Sequence, residues 1–186
     1  MDVSHKRAVT EAGWPASVVH VVDSILVAAA TAVALASLVV LFLSIGLEVV
    51  VRYLTTQGLG WPSELPNILF PWLIMGGIVV AAQRGAHISV TLLLDMLGRS
   101  GARVLLLGMQ VVVAATFFYL AYIGLAVIEI TGTEIYPVTG ISARWAYLSL
   151  IAGFVGIGLT AATTFVRLLL VEEPRSVRAA GPEEER

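Results

Sequence analysis

The chain has 186 residues, 58% of them hydrophobic and 13% charged, with a formal net charge of −2. A soluble domain carries about 25% charged residues, so a chain this small and apolar cannot turn its surface to water, and its solvent is lipid. The charge balance leaves no basic footprint for nucleic acid, and the absence of cysteine excludes disulfides and thiolate metal sites.

No Asp, Glu, Lys or Arg occurs in Ser24–Leu47, Leu65–Gln83, Val104–Ile128 or Trp145–Val166. Roughly 20 apolar residues cross a hydrocarbon core of about 30 Å as a helix. The sequence therefore predicts an all-α integral membrane protein with four transmembrane helices. A membrane domain over 16–171 is expected between an N-terminal tail, 1–15, and a charged C-terminal tail, 172–186.

In chain order, Trp14–Pro15 suits an interfacial anchor followed by a first helical turn. The first span is preceded by mixed-polarity residues and followed by no small-residue cleavage site, so it reads as a retained helix rather than a signal peptide. It is expected from about Ser17 to about Leu54, long enough to tilt or to project from the bilayer. Near its end Glu48 and Arg52 stand at i, i+4, the spacing of an ion pair. The loop TTQGLGWPSE follows, with Trp61 as a headgroup-belt residue and Glu64 as an acid at a helix N-terminus.

The second helix opens at LPNILFPW. Pro66 is placed in its first turn, whereas Pro71 lacks the N–H that would pair with the carbonyl of Asn67, which predicts a kink. Gly76–Gly77 supplies a smooth strip for a neighbouring helix. Arg84 closes the helix, well placed for its C-terminal dipole.

The stretch RGAHISVTLLLDML then sets His87, Thr91 and Asp95 on one helical stripe among aliphatic residues. That pattern predicts a short amphipathic helix lying at the membrane interface, ended by Gly98. Third and fourth helices are expected from about Gly101 to Ile130 and from about Ser142 to Val171. The tail EEPRSVRAAGPEEER is too charged to join a core.

Most basic residues fall on one side of these spans: Lys6 and Arg7, then Arg84, Arg99 and Arg103, then Arg167, Arg175, Arg178 and Arg186. Only Arg52 and Arg144 fall on the other. The positive-inside rule puts both termini in the cytoplasm.

Chemistry is sparse. His5, His20 and His87 all lie outside the charge-free windows, so paired axial haem ligands inside a bundle are not available. No activated nucleophile, phosphate-cradling loop or metal-ligand cluster is legible, and no enzyme site or cofactor is expected. For His87 and Asp95 an interfacial polar face or a partner contact outweighs catalysis. Two other classes stay open on the residues alone. One is a small proton-coupled multidrug-type carrier working as a homodimer through Glu48; the other is the membrane anchor of a redox enzyme.

The ordered combination LEVVVRY, GWPSEL, PWLIMGGIVVAAQRGAHISV and RWAYLSLIAG, over roughly 20–171, resembles the small four-helix membrane subunit of TRAP (tripartite ATP-independent periplasmic) transporters. Its most specific part is Arg84–Val90, supported by Trp61 with Glu64 and by Trp72. The chain departs from the family pattern at Thr91, where an aspartate is usual, and at Pro66 and Asn67, where a basic residue is usual.

The resemblance implies a non-catalytic scaffold of a sodium-driven transporter for organic acids or related solutes, in a bacterial inner membrane. Its implied partners are a separate large membrane subunit that moves the substrate, a periplasmic binding protein that captures it, and lipid. The interface candidates are Glu48, Arg52, Trp61, Glu64, Trp72, Arg84, His87 and Asp95. The small-residue strips Gly76–Gly77 and Gly153–Gly156–Gly158 are expected to serve partner contacts, and Glu64, Glu129 and Glu134 are expected to face the binding protein.

Overall fold

The computed structural model describes residues 14–55, 58–84 and 99–170, and the side chains of residues 14–16 and 99 are not considered. Among the described residues there are four helices: α1 (Trp14–Thr55), α2 (Trp61–Gln83), α3 (Arg99–Thr131) and α4 (Arg144–Leu170). All four are long and apolar enough to cross a membrane, and the protein is an all-α, four-span membrane protein. The tails, and the amphipathic helix expected between the second and third spans, lie outside the described residues.

Helix ends follow local chemistry. α2 begins a turn earlier than its apolar run, because Gly60 adopts φ 79° and hands over to Trp61–Pro62, with the proline in the first turn. Pro66 is therefore inside the helix with Pro71, not in its first turn. α3 stops at Gly132, whose N–H still reaches the carbonyl of Ile128 at 2.9 Å. A Cβ at Gly132 would collide with that same oxygen and with the Arg144 side chain. The loop from Gly132 to Ala143 closes on itself through a bridge between Ile135 and Ser142, and the Ser142 hydroxyl accepts the Arg144 N–H at 3.2 Å to start α4.

Packing runs in the order α1, α2, α4, α3. α3 packs on α4, α4 on α2 and α2 on α1, while α1 touches α4 more lightly. α2 and α3, consecutive in sequence, are thus held apart by α4. The burial follows that order: 44% of the most apolar window of α4 is buried, against 11% in α1 and 6% in α3.

In lipid there is no hydrophobic force between helices, so they join by close packing of small residues. Gly153 receives the Met75 side chain of α2, and Gly156 lies where a Cβ would stand 2.9 Å from Val79. Gly158 is faced by the Phe118 ring of α3, and Gly76 sits 2.8 Å, measured from its ideal Cβ, from the Ala30 carbonyl of α1. The strips expected to meet a partner are instead consumed inside the subunit; of them, Gly77 has no atom within 4 Å of its ideal Cβ.

Candidate functional site

Polar side chains from different helices and loops fasten this row of helices at its two ends. At one end is Asp23 on α1, buried at 6% exposure. Its Oδ1 accepts from Gln83 Nε2 of α2 at 3.1 Å and from Thr163 Oγ1 of α4 at 2.6 Å. Its Oδ2 pairs with the Arg167 guanidinium of α4. Gln83 Nε2 also donates to Thr160 Oγ1 at 3.0 Å, and that hydroxyl donates in turn to the Gly156 carbonyl. Three helices meet at one carboxylate, with its charge balanced and its oxygens occupied, as a charge in a low-dielectric setting requires.

Beyond that cluster, Arg103 of α3 reaches the end of α4. Its Nη2 and Nε donate to the Leu168 carbonyl at 3.1 and 3.3 Å. Carbonyls in the last turn of a helix have no partner within it, so a cation there both satisfies them and meets the negative end of the dipole. Leu168, 2% exposed, packs beside Ala102 and Leu106.

The opposite end is fastened by Glu64. This residue opens α2 yet accepts three hydrogen bonds from the loop between α3 and α4: Val138 N–H at 3.0 Å, Thr139 N–H at 2.8 Å and Thr139 Oγ1 at 2.8 Å. With 8% exposure it is buried, and it serves the subunit itself rather than facing outward as expected. Glu129 and Glu134 are exposed. In the same loop Tyr136 is held above the ordinary tyrosine pKa, first by burial and then by the Glu134 carboxylate.

Glu48 does the corresponding work for α1. Its Oε2 accepts the Leu59 N–H at 3.0 Å, and Oε1 lies against Gly58, where a Cβ would collide with it. Among the described residues Glu48 and Arg52 form no ion pair, and Arg52 is exposed. The carboxylate instead satisfies a loop N–H that has no helical partner.

Trp72, midway along α2, donates its indole N–H to the Trp145 carbonyl at 2.9 Å, tying α2 to the first turn of α4. Trp61 is 38% exposed at the Glu64 end. Arg84 is exposed at the other end. His87 and Asp95 fall outside the described residues.

Of the predicted positions, the structure brings Glu64, Glu48 and Trp72 into ties between segments. The Asp23 cluster, Gln83, Thr160, Thr163, Arg103 and Arg167 were not anticipated. Asp23 and Arg167 each stand one residue outside a charge-free window, and that symmetry was the available signal: an acid and a base at matching depths on two spans.

Between α1, α2 and α4 lies a cavity of about 170 Å³. Leu26, Ala30, Met75, Val79, Gly153 and Gly156 line it, and the hydroxyl of Ser149 at its wall is spent on the Ala146 carbonyl at 2.6 Å. The wall is otherwise apolar.

The fold and its polar ties define a multi-pass membrane protein whose charged groups hold its own helices together. The chain belongs to the family described as tripartite ATP-independent periplasmic transporters, DctQ component, which matches residues 41–171. Among its relatives is a Haemophilus influenzae protein named as a putative TRAP transporter small permease protein, 27% identical over 61% of this chain and 68% of the relative. Another is the uncharacterized protein y4mM of Sinorhizobium fredii, 36% identical over 66% of this chain; the match spans only 23% of that protein's length. The chain is a TRAP transporter small subunit.

Proposed function

We propose that the subunit is a static scaffold. It holds a separate large transport subunit in a bacterial inner membrane and helps dock a periplasmic binding protein, in a sodium-driven system for organic acids or related solutes. The observation that carries this reading is the disposition of the charged and polar groups. Asp23, Glu64 and Glu48 are each engaged with a second segment of the chain, and the cavity between helices is apolar. A carrier needs ionisable groups exposed to a substrate path; here they lock segments together.

The Glu64 end is read as periplasmic and the Asp23 end as cytoplasmic, because Arg84, Arg103 and Arg167 crowd the latter. On that orientation the loop pinned by Glu64 forms a firm platform with exposed Trp61 and Val138, suited to a docking partner. Lipid meets the remaining apolar faces.

The test is affinity purification of the tagged chain from native membranes in mild detergent, followed by mass spectrometry. A stoichiometric large polytopic protein is expected. Recovery of the chain alone as a stable dimer would reject the scaffold and favour a small carrier, for which Glu48→Gln would abolish transport. A scaffold tolerates that change.

A further inference from the structure

The cavity between α1, α2 and α4 ends against the Asp23 cluster. Leu26, Val79 and Gly156 line it, and each stands one turn inward of Asp23, Gln83 or Thr160, the residues of the three helices that meet there. Its far end is formed by Val33, Trp72 and Ser149. Counted along the helices at about 1.5 Å per residue, the cavity runs from roughly 5 to 16 Å inward of the cluster. Half of a hydrocarbon core of about 30 Å is about 15 Å, so the cavity has the depth of one leaflet. Ala29, Val33 and Ala152 on its rim are exposed, which makes it a groove open to the bilayer on one side.

An apolar groove bathed in hydrocarbon does not stay empty, because its lining would forgo the dispersion contacts that a filled space supplies. Another helix, about 10–12 Å across with its side chains, does not enter a space of about 170 Å³. The small residues that would admit one are already spent: Gly76 lies against Ala30, Gly153 holds Met75 and Gly156 faces Val79. A flexible chain of methylenes fits such a groove.

The charge at the cluster end says what head that chain carries. Among the described residues Arg84, Arg103 and Arg167 stand at this end of the row, and Asp23 is its sole carboxylate. Arg167 gives one Nη2 to Asp23, yet its side chain stays 40% exposed. A guanidinium engaged on one edge still presents N–H donors on the others, in a fork that suits phosphate. Arg84 is exposed next to Gln83 and adds a second positive charge.

We propose that the subunit binds one anionic phospholipid here, with the phosphate on the outer edge of Arg167 and one acyl chain in the groove from Leu26 to Trp72. The apolar fit alone does not prefer a bound lipid to a bulk one, since hydrocarbon is the solvent; the headgroup contact supplies the selectivity. The bound chain fills the space between α1 and α4 that their tie at Asp23 leaves open. The proposal is independent of the scaffold reading.

The full chain, purified from native membranes in mild detergent with the proteins that accompany it, is placed in nanodiscs. These contain a trace of phosphatidylglycerol carrying a diazirine near the end of one acyl chain, or the same label on phosphatidylcholine. After illumination, peptide mass spectrometry should find phosphatidylglycerol adducts on the groove segments 26–33, 72–79 and 149–156. They should exceed phosphatidylcholine adducts by about fivefold, the preference one basic residue near the surface confers. Ala29→Leu/Ala152→Leu fills the groove from its rim and should abolish these adducts while labelling of other lipid-facing segments persists. Asp23→Asn/Arg167→Gln removes the guanidinium without stranding a buried charge and should equalise the two lipids. Equal labelling of the wild-type groove by both lipids is the mark of ordinary solvating lipid and overturns the proposal. Labelling elsewhere with none in the groove also overturns it, because protein then fills the space. Groove adducts that persist in Ala29→Leu/Ala152→Leu overturn the seat of the chain, and an unchanged preference in Asp23→Asn/Arg167→Gln overturns the role of Arg167.

Discussion

Replacing Asp23 by Ala should loosen α1 from both of its neighbours. The change deletes two inter-helix hydrogen bonds, from Gln83 and Thr163, each worth about 0.6–1.7 kcal/mol in a membrane protein. It also deletes the ion pair with Arg167. That guanidinium is 40% exposed, so solvent screening discounts the pair to about 1 kcal/mol or less. The sum is about 1–4 kcal/mol, most of it from the two hydrogen bonds. Asp23→Asn retains an acceptor oxygen at the Oδ1 position and loses the charge, so about 1 kcal/mol is expected from it. Reversible unfolding in mixed micelles, followed by tryptophan fluorescence, measures both. Spin labels on cysteines introduced at Val18 and Leu169, in a chain with no native cysteine, should report a broader α1–α4 distance distribution in Asp23→Ala. A loss below about 0.5 kcal/mol with an unchanged distribution would refute the clamp, since even one inter-helix bond exceeds it. Equal losses in Asn and Ala would show that charge, not hydrogen bonding, ties the helices.

Further outcomes follow from the same contacts. Glu64→Ala leaves Val138 and Thr139 N–H without their acceptor; those amides should exchange with solvent at least about tenfold faster, at about 1.5–3 kcal/mol per charge-assisted bond, while amides in the middle of α3 keep their rates. Gly76→Ala puts a methyl 2.8 Å from the Ala30 carbonyl and should cost about 1–3 kcal/mol in the isolated subunit. Gly77→Ala meets nothing and should be neutral, or stabilise by up to about 1 kcal/mol through helix propensity; paired unfolding curves distinguish the two. Trp72→Phe loses the bond to the Trp145 carbonyl and should cost about 0.5–1.5 kcal/mol in the same assay.

Local signals located the ends of the spans well. The end of α3 at Thr131 and the start of α4 at Arg144 lie within two residues of those expected from charge and hydropathy, because a desolvated charge is costly anywhere inside hydrocarbon. α2 was harder. Its true start at Trp61 is set by a left-handed Gly60 and by loop carbonyls and hydroxyls that hydropathy does not weigh. Glu64 was legible as a residue of interest but not in its role: an acid at a helix N-terminus is ordinarily explained by the dipole, and the N–H groups that donate to it lie more than seventy residues away. Asp23 was passed over for a related reason, since a charge at the edge of a span reads as solvated until another helix is seen to cover it.

What the sequence determined by itself is everything that depends on composition along the chain: a lipid solvent, four crossings, and the family pattern distributed along them. These are properties of single segments, because the transfer of a helix into hydrocarbon depends almost wholly on its own residues. The tertiary structure alone decided the order α1, α2, α4, α3, which glycines are consumed within the subunit, and which helix satisfies each charge. Those outcomes depend on matching surfaces between segments distant in sequence. In lipid that matching is governed by close fit and by a few hydrogen bonds, neither of which leaves a periodic mark on the chain.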